Sequence, residues 1–283
     1  MDDLTETSPR KVIYDLGSHV GDDIPYYLLK ADMVVAVEAN PLLIERIYKR
    51  FPREIAAQRL KVENCALTVE PGGSDVRFFI HKTQDVLSQL DEPEHSERAN
   101  FNEIQVPSMP LIELIQRHGD PYYVKIDLEG FDNKVLAHLF ANGIFPPYIS
   151  AEAHSAEVFC SLVALGGYRA FKLVAGPQLA WKYPRHLIKV GDAQKVYEFP
   201  YPDSSGPFGN DIKGRWMTPD DFMRYLAYVG TGWVDVHASR VDRPTPQRVR
   251  LLAEIGSRIA RETGVRLRLT KLQAWSDKLW GAN

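Results

Sequence analysis

Cysteine is almost missing from this chain: Cys65 and Cys160 are the two among 283 residues. Each sits in an apolar stretch, so buried free thiols in a reducing compartment are expected and a disulfide framework is excluded. No uninterrupted apolar run approaches the roughly 18 residues of a membrane span. The opening segment, MDDLTETSPR, is acidic and polar, without the basic and then apolar parts of a secretory signal. Both absences lead to the expectation of a cytoplasmic protein with no membrane span. A net charge of −3 points to neither nucleic acid nor an anionic surface. No Asn/Asp-Pro-Pro-Tyr motif of the base-flipping kind occurs, so nucleic acid is not the expected partner. The dinucleotide fingerprint G-x-G-x-x-G is missing as well.

What is there is an ordinary globular balance, 45% hydrophobic and 25% charged, with ample material for a buried core. Apolar β-type runs alternate with helical patterns along the first 175 residues. Lys11–Leu16 reads as a strand, and Asp22 and Asp23 can cap the helix after it, with Pro25 in its first turn. Met33–Glu38 reads as a strand buried on both faces. Asn40-Pro41 starts a helix with Leu42, Leu43, Ile44 and Ile47 as its apolar stripe. Leu60–Leu67 and Val76–His81 follow as β segments, then a polar stretch from Thr83 to Asn102. Helix Leu111–His118, strand Tyr122–Ile126, helix Asp132–Asn142, strand Tyr148–Ala153, helix Glu157–Leu165 and strand Tyr168–Val174 complete the series. Repeated β-α units imply a parallel sheet with helices on both faces.

In such a sheet ligands sit beyond the carboxyl ends of the strands. The first turn is Asp15-Leu16-Gly17-Ser18-His19-Val20-Gly21, and its glycines let the backbone approach a ligand. Glu38 ends the second strand, where an acid can accept both ribose hydroxyl protons. Asp15, inside the loop, would repel a pyrophosphate: two unit charges about 4 Å apart cost roughly 4 kcal/mol at an effective dielectric near 20. The sulfonium and ammonium of S-adenosylmethionine would be attracted instead. The pocket therefore favours S-adenosylmethionine over NAD.

The strings VIYDLGSHVGDD, VVAVEANP, ENCALT and VKIDLEGFDNKVL resemble the FkbM family of S-adenosylmethionine-dependent methyltransferases over roughly residues 11–175, and the K-I-D-x-E-G-F motif at Lys125–Phe131 is the most distinctive part. The resemblance implies an α/β, Rossmann-like class I methyltransferase: a seven-stranded, mostly parallel sheet flanked by helices, its last strand antiparallel. It implies that Asp15, Gly17, His19 and Gly21 line the methionine end of the cofactor, although His19 stands where small or asparagine residues are frequent. It further implies that Glu38 binds the ribose with Asn40 close by, that Asn64, Cys65 and Ala66 border the adenine, and that the acceptor is a hydroxyl of a sugar, glycan or related small molecule.

Methyl transfer to an alcohol needs alignment of the acceptor oxygen and removal of its proton. Asp127 and Glu129 end one strand; Glu152 and His154 end another, two residues apart and so on one side of it. His154 could serve as general base, or Asp127, Glu152 and His154 could hold Mg²⁺ that acidifies a diol. Asp127 also counts among the cofactor-binding candidates, Glu129 could cap the next helix, and Lys125 fits an ion pair as well as a site. Trp181, Tyr183, Trp216 and Ser204–Gly209 are candidates for an acceptor pocket, with core packing or a homodimer contact as the other reading. The expected boundaries are a flexible N-terminus over 1–10, a methyltransferase domain over 11–202 and a C-terminal lid or helical extension over 203–283. Thr218–Tyr228 and Pro246–Glu262 read as helices there, and Arg240–Lys271 carries nine basic against three acidic residues. Nucleic-acid methylation and a non-catalytic S-adenosylmethionine-binding scaffold are the alternative functions.

Overall fold

The computed structural model describes residues 10–246, which fall into two compact units, one ending at Phe131 and the other beginning at Asp132. The chain forms a mixed, mostly parallel seven-stranded sheet flanked by helices.

The first unit supplies four of the seven strands. Val12–Leu16 (β1) is buried at every position, as a central strand covered on both faces must be. After it come a short helix, Ile24–Tyr27 (α1), and strand Met33–Glu38 (β2). Pro25 lies in the first turn of α1, but Asp23 makes no side-chain cap there. Helix Pro41–Arg50 (α2) starts where Asn40 accepts a hydrogen bond from the Leu42 amide at 3.0 Å, with Pro41 at the first position, where no amide is needed. It buries Leu43, Ile44 and Ile47; Leu42 falls off that face and is exposed. Helix Pro52–Ala56 (α3) and strand Leu60–Asn64 (β3) follow. The run read as one strand to Leu67 breaks at Cys65, and Ala66–Thr68 (β4) leaves to pair elsewhere.

Strand Val76–His81 (β5) pairs antiparallel with Phe101–Val106 (β6), which the sequence hid at the end of a polar stretch because only Phe101 and Val106 are buried in it. Ser108–Pro110 (β7) is the partner of β4. Helix Leu111–His118 (α4) ends at Gly119, and Pro121–Ile126 (β8) begins at a proline, the strand position where a missing donor matters least. The order within this unit is β8-β1-β2-β3, all parallel. In register, Asp15 of β1 stands beside Lys125 of β8.

The second unit opens with helix Asp132–Ala141 (α5), strand Tyr148–Glu152 (β9), helix Glu157–Ala164 (α6) and strand Ala170–Ala175 (β10). On α6 the buried residues are Val158, Phe159, Ser161 and Leu162, so Cys160 faces outward and is exposed, against expectation, whereas Cys65 is buried. Helix Leu179–Lys182 (α7) leads to a hairpin of His186–Val190 (β11) and Ala193–Tyr197 (β12). Helix Pro219–Val229 (α8) is capped by Thr218, whose hydroxyl accepts from the Asp221 amide. Phe159, Phe171 and Phe222 cluster with ring centroids 5.0–5.3 Å apart, joining α6, β10 and α8.

Val234–Ser239 (β13) then enters the sheet between β9 and β10, antiparallel to both. The residues expected as a lid or helical extension from 203 onward thus include a strand of the sheet as well as helix α8. The sequence concealed it because Asp235, His237 and Ser239 alternate with apolar residues, like a half-exposed strand, while all six residues are buried. Across the strands, Ser150, His237 and Lys172 stand in one row. Burial holds His237 neutral, its pKa pushed down to about 3, and lowers that of Lys172 to about 8. The Lys172 ammonium donates to the Ile212 carbonyl at 2.7 Å and lies 4.7 Å from the ring of Trp216.

No helix among the described residues is long and apolar enough to cross a membrane. The expected helix Pro246–Glu262 and most of the basic run lie outside the described residues.

Candidate functional site

The site begins with the backbone of the β1–α1 turn. Gly17 and Gly21 have φ of +81° and +79°, which side chains resist. At Gly17 a Cβ would fall 1.8 Å from the Asp127 carbonyl oxygen, so only glycine lets the β1 turn pass the end of β8. The amides of Gly17 and Ser18 both donate to the Val37 carbonyl at 3.0 Å, tying the turn to β2. From the far side, Arg50 at the end of α2 donates to the Val20 carbonyl at 2.6 Å and to Asp22 at 2.8 Å.

Two carboxylates line this turn. Asp15 is buried, and Lys125 brings its ammonium to 3.6 Å from Asp15 Oδ1 and 3.1 Å from Asp127 Oδ2, while donating to the Gly17 carbonyl at 2.9 Å. Burial pushes the Asp15 carboxyl up to about 7, against the pull of Lys125. Asp15 Oδ1 and Ser18 Oγ make no hydrogen bond among the described residues. Glu38 Oε2 accepts from the His19 amide at 3.0 Å and Oε1 from the Asn40 amide at 2.8 Å. Burial raises its pKa, and those two amides work against the rise. Each oxygen keeps a lone pair for a further donor, as a ribose diol requires.

The other expected cofactor residues gather around these. His19 adopts φ +50° and sets its Nε2 3.2 Å from Asp85, in the turn after β5. Asn40 spends its side-chain oxygen on capping α2. Asn64 donates to the carbonyls of Glu38 and Ala39, at 3.0 and 3.2 Å, fixing the end of β2 from β3. Cys65 is buried, its thiol pushed up to about 12 by burial, and the Ala66 amide donates to Pro107 at 2.9 Å.

In the second unit, His154 Nε2 lies 3.1 Å from Glu152 Oε2, with His154 partly exposed and Glu152 mostly covered. Asp235 of β13 stands directly across from Glu152. Two of the aromatics expected to meet an acceptor are occupied. Tyr183 is buried; Trp216 is also buried, stacks on Tyr148 and donates to Asn210 at 2.9 Å. Trp181 is exposed.

Sequence reasoning left Lys125 undecided and missed Asp85. A signal existed for Lys125, which shares a side of its strand with Asp127; Asp85 depends on distant packing.

These residues fit S-adenosylmethionine on their own chemistry. A buried, under-bonded carboxylate beside a glycine turn suits a cationic sulfur or amine, and a second one held by backbone amides suits a diol.

A family model described as the methyltransferase FkbM domain matches residues 15–156, just over half the chain. Several solved structures are similar. One is precorrin 8W decarboxylase, the product of gene MT0146 of Methanobacterium thermoautotrophicum, with 11% identity, 84% of this chain and 86% of that one covered, and a TM-score of 0.38. Another is the C-terminal domain of precorrin-6Y C5,15-methyltransferase from Rhodobacter capsulatus, with 11% identity, 82% of each chain covered and a TM-score of 0.36. A third is a predicted O-methyltransferase, protein Atu636 from Agrobacterium tumefaciens, with 13% identity, 86% and 80% covered and a TM-score of 0.33. Likeness of that degree bears on neither substrate nor chemistry. No curated protein matches the chain.

Proposed function

The chain belongs to the FkbM methyltransferase family, and from that premise we propose that it methylates a hydroxyl of a sugar, glycan or related small molecule. It is a methyltransferase, and the family implies S-adenosylmethionine as donor. When bound, that cofactor supplies a methyl carbon made electrophilic by its sulfonium. Asp15 holds the cationic end, Glu38 accepts the ribose hydroxyls, and Gly17 and Gly21 let the backbone close on the ligand. Asn64 and Cys65-Ala66 form the adenine border.

The observation that carries the hydroxyl reading is the His154–Glu152 pair at 3.1 Å. Glu152 accepts the Nε2 proton and orients the imidazole. His154 would take the proton of the acceptor hydroxyl, leaving the oxygen ready to receive the methyl group. The pairing is the reason to prefer this base to Mg²⁺ held by Asp127, Glu152 and His154, since it already engages His154 Nε2 and Glu152 Oε2 with each other.

The test is release of S-adenosylhomocysteine from the full chain, given S-adenosylmethionine and methyl glycosides. His154→Ala and Glu152→Gln should cut turnover by about 10²–10⁴-fold, with cofactor affinity retained. Turnover on nucleic acid alone, or none on any acceptor while cofactor binds, would favour the nucleic-acid or scaffold reading.

A further inference from the structure

Large aromatic faces are normally covered in a folded chain, and a stacked pair left open to water calls for a partner. Tyr201 and Trp233 form such a pair, with ring centroids 6.3 Å apart, planes 28° from parallel, and 51% and 41% of their surfaces exposed.

Their placement is built. The Trp233 carbonyl accepts the Gly176 amide at 3.1 Å, and the indole lies so close over Gly176 that a Cβ there would come within 2.0 Å of ring carbon Cε2. Gly176 therefore has no room for a side chain under the ring. The residues on either side of Trp233 hold Ala153: Gly232 donates to its carbonyl at 2.9 Å, and its amide donates to the Val234 carbonyl at 2.8 Å. Ala153 separates Glu152 from His154, so the indole belongs to the strand segment bonded to that pair. Asp203, exposed, follows Tyr201 by two residues in the same loop.

An open aromatic face suits either a planar ring or the C–H face of a pyranose. Asp203, two residues from Tyr201, and Glu152, next to the Ala153 that Gly232 and Val234 bracket, are acids of the same two segments, and acids accept the hydroxyl protons around the edge of a sugar. We propose that Tyr201 and Trp233 form the acceptor platform, against which a pyranose ring lies with one hydroxyl presented to His154. This rests on the reading of His154 as base, and it moves the acceptor face from Tyr183 and Trp216, which are buried, to two residues outside the original candidates.

Saturation-transfer NMR on the full chain with S-adenosylhomocysteine tests it, using methyl α-D-glucopyranoside, methyl α-D-mannopyranoside, methyl α-L-rhamnopyranoside and, as a planar comparator, catechol. The ring C–H protons of at least one glycoside should be saturated. Its binding should weaken about tenfold in Trp233→Ala and in Tyr201→Ala, and persist in Trp181→Ala. Trp233→Phe, which keeps an aromatic face, should retain part of it and guards against mere misfolding. Catechol binding without any glycoside, no glycoside binding, or binding lost only in Trp181→Ala would overturn the platform. Thermal protection by S-adenosylmethionine, read on the same samples, separates the two readings. Its persistence with no sugar binding sinks the platform alone, and its absence sinks the donor site.

Discussion

Gly17 passes the carbonyl oxygen of Asp127 so closely that a single added methyl group would sit 1.8 Å from it. That contact joins the turn after the first strand to the motif residue that follows β8, and it makes the glycine a steric requirement as well as a conformational one.

Gly17→Ala should therefore cost at least about 2 kcal/mol, from positive φ and the clash together. Gly72→Ala is the comparison: its φ is also positive, +115°, but nothing lies within 4 Å of the added carbon. It should lose only about 1 kcal/mol. Equal losses in urea melts would mean that the close approach is absent.

Cofactor binding should depend on pH through Asp15, whose burial places its carboxyl near 7. A cation binds the ionised form, so affinity for S-adenosylmethionine should fall about tenfold per pH unit below 7 and level off above it. The free protein behaves oppositely. Its native state holds the Asp15 proton up to about 7, the unfolded chain only to about 3.8, so this group's contribution to stability declines as pH rises between those values. Calorimetry in buffers of differing ionisation heat should detect proton release on binding. An affinity flat from pH 5.5 to 8 would remove Asp15 from the cation site.

Lys125→Met should lose about 3 kcal/mol, because it strips a buried acid of its cation and the Gly17 carbonyl of a donor. The Asp15→Asn change made on top of it should recover part of that loss, since no buried charge then lacks a partner. Strict additivity of the two in denaturant melts would deny the pair any coupling.

The geometry of the β1–α1 turn was largely legible because its signals are local. Glycines, an acid in the loop and an acid ending the next strand all fall between Asp15 and Glu38. The partnership of Lys125 with Asp15 was not, since it depends on the register of two strands far apart in the chain. Strand β13 escaped because buried polar residues mimic the alternation of a half-exposed strand. The Tyr201–Trp233 face escaped for a related reason. Whether an aromatic ring is covered depends on what packs over it, and here a glycine at 176 decides how the indole lies.

Lys172 gives a second handle on pH. Its depressed pKa, about 8, means that the native protein sheds this proton before the unfolded chain, whose lysine titrates near 10.5. The cost of burying the charge is fully present below pH 8, and stability should climb from there toward pH 10.5. Lys172→Met should lack that climb when the two stability curves are subtracted. Parallel curves would place the ammonium in contact with solvent.

The late return of β13 also has a consequence for synthesis. A ribosome delivers β9 and β10 well before the strand that lies between them. Until Ser239 emerges, the backbone edges reserved for β13 are open, and open edges recruit whatever strand is at hand. Chains that stall or are cut short in α8 should be the aggregating species, and chaperone demand should end within a few residues of the point where β13 clears the exit tunnel.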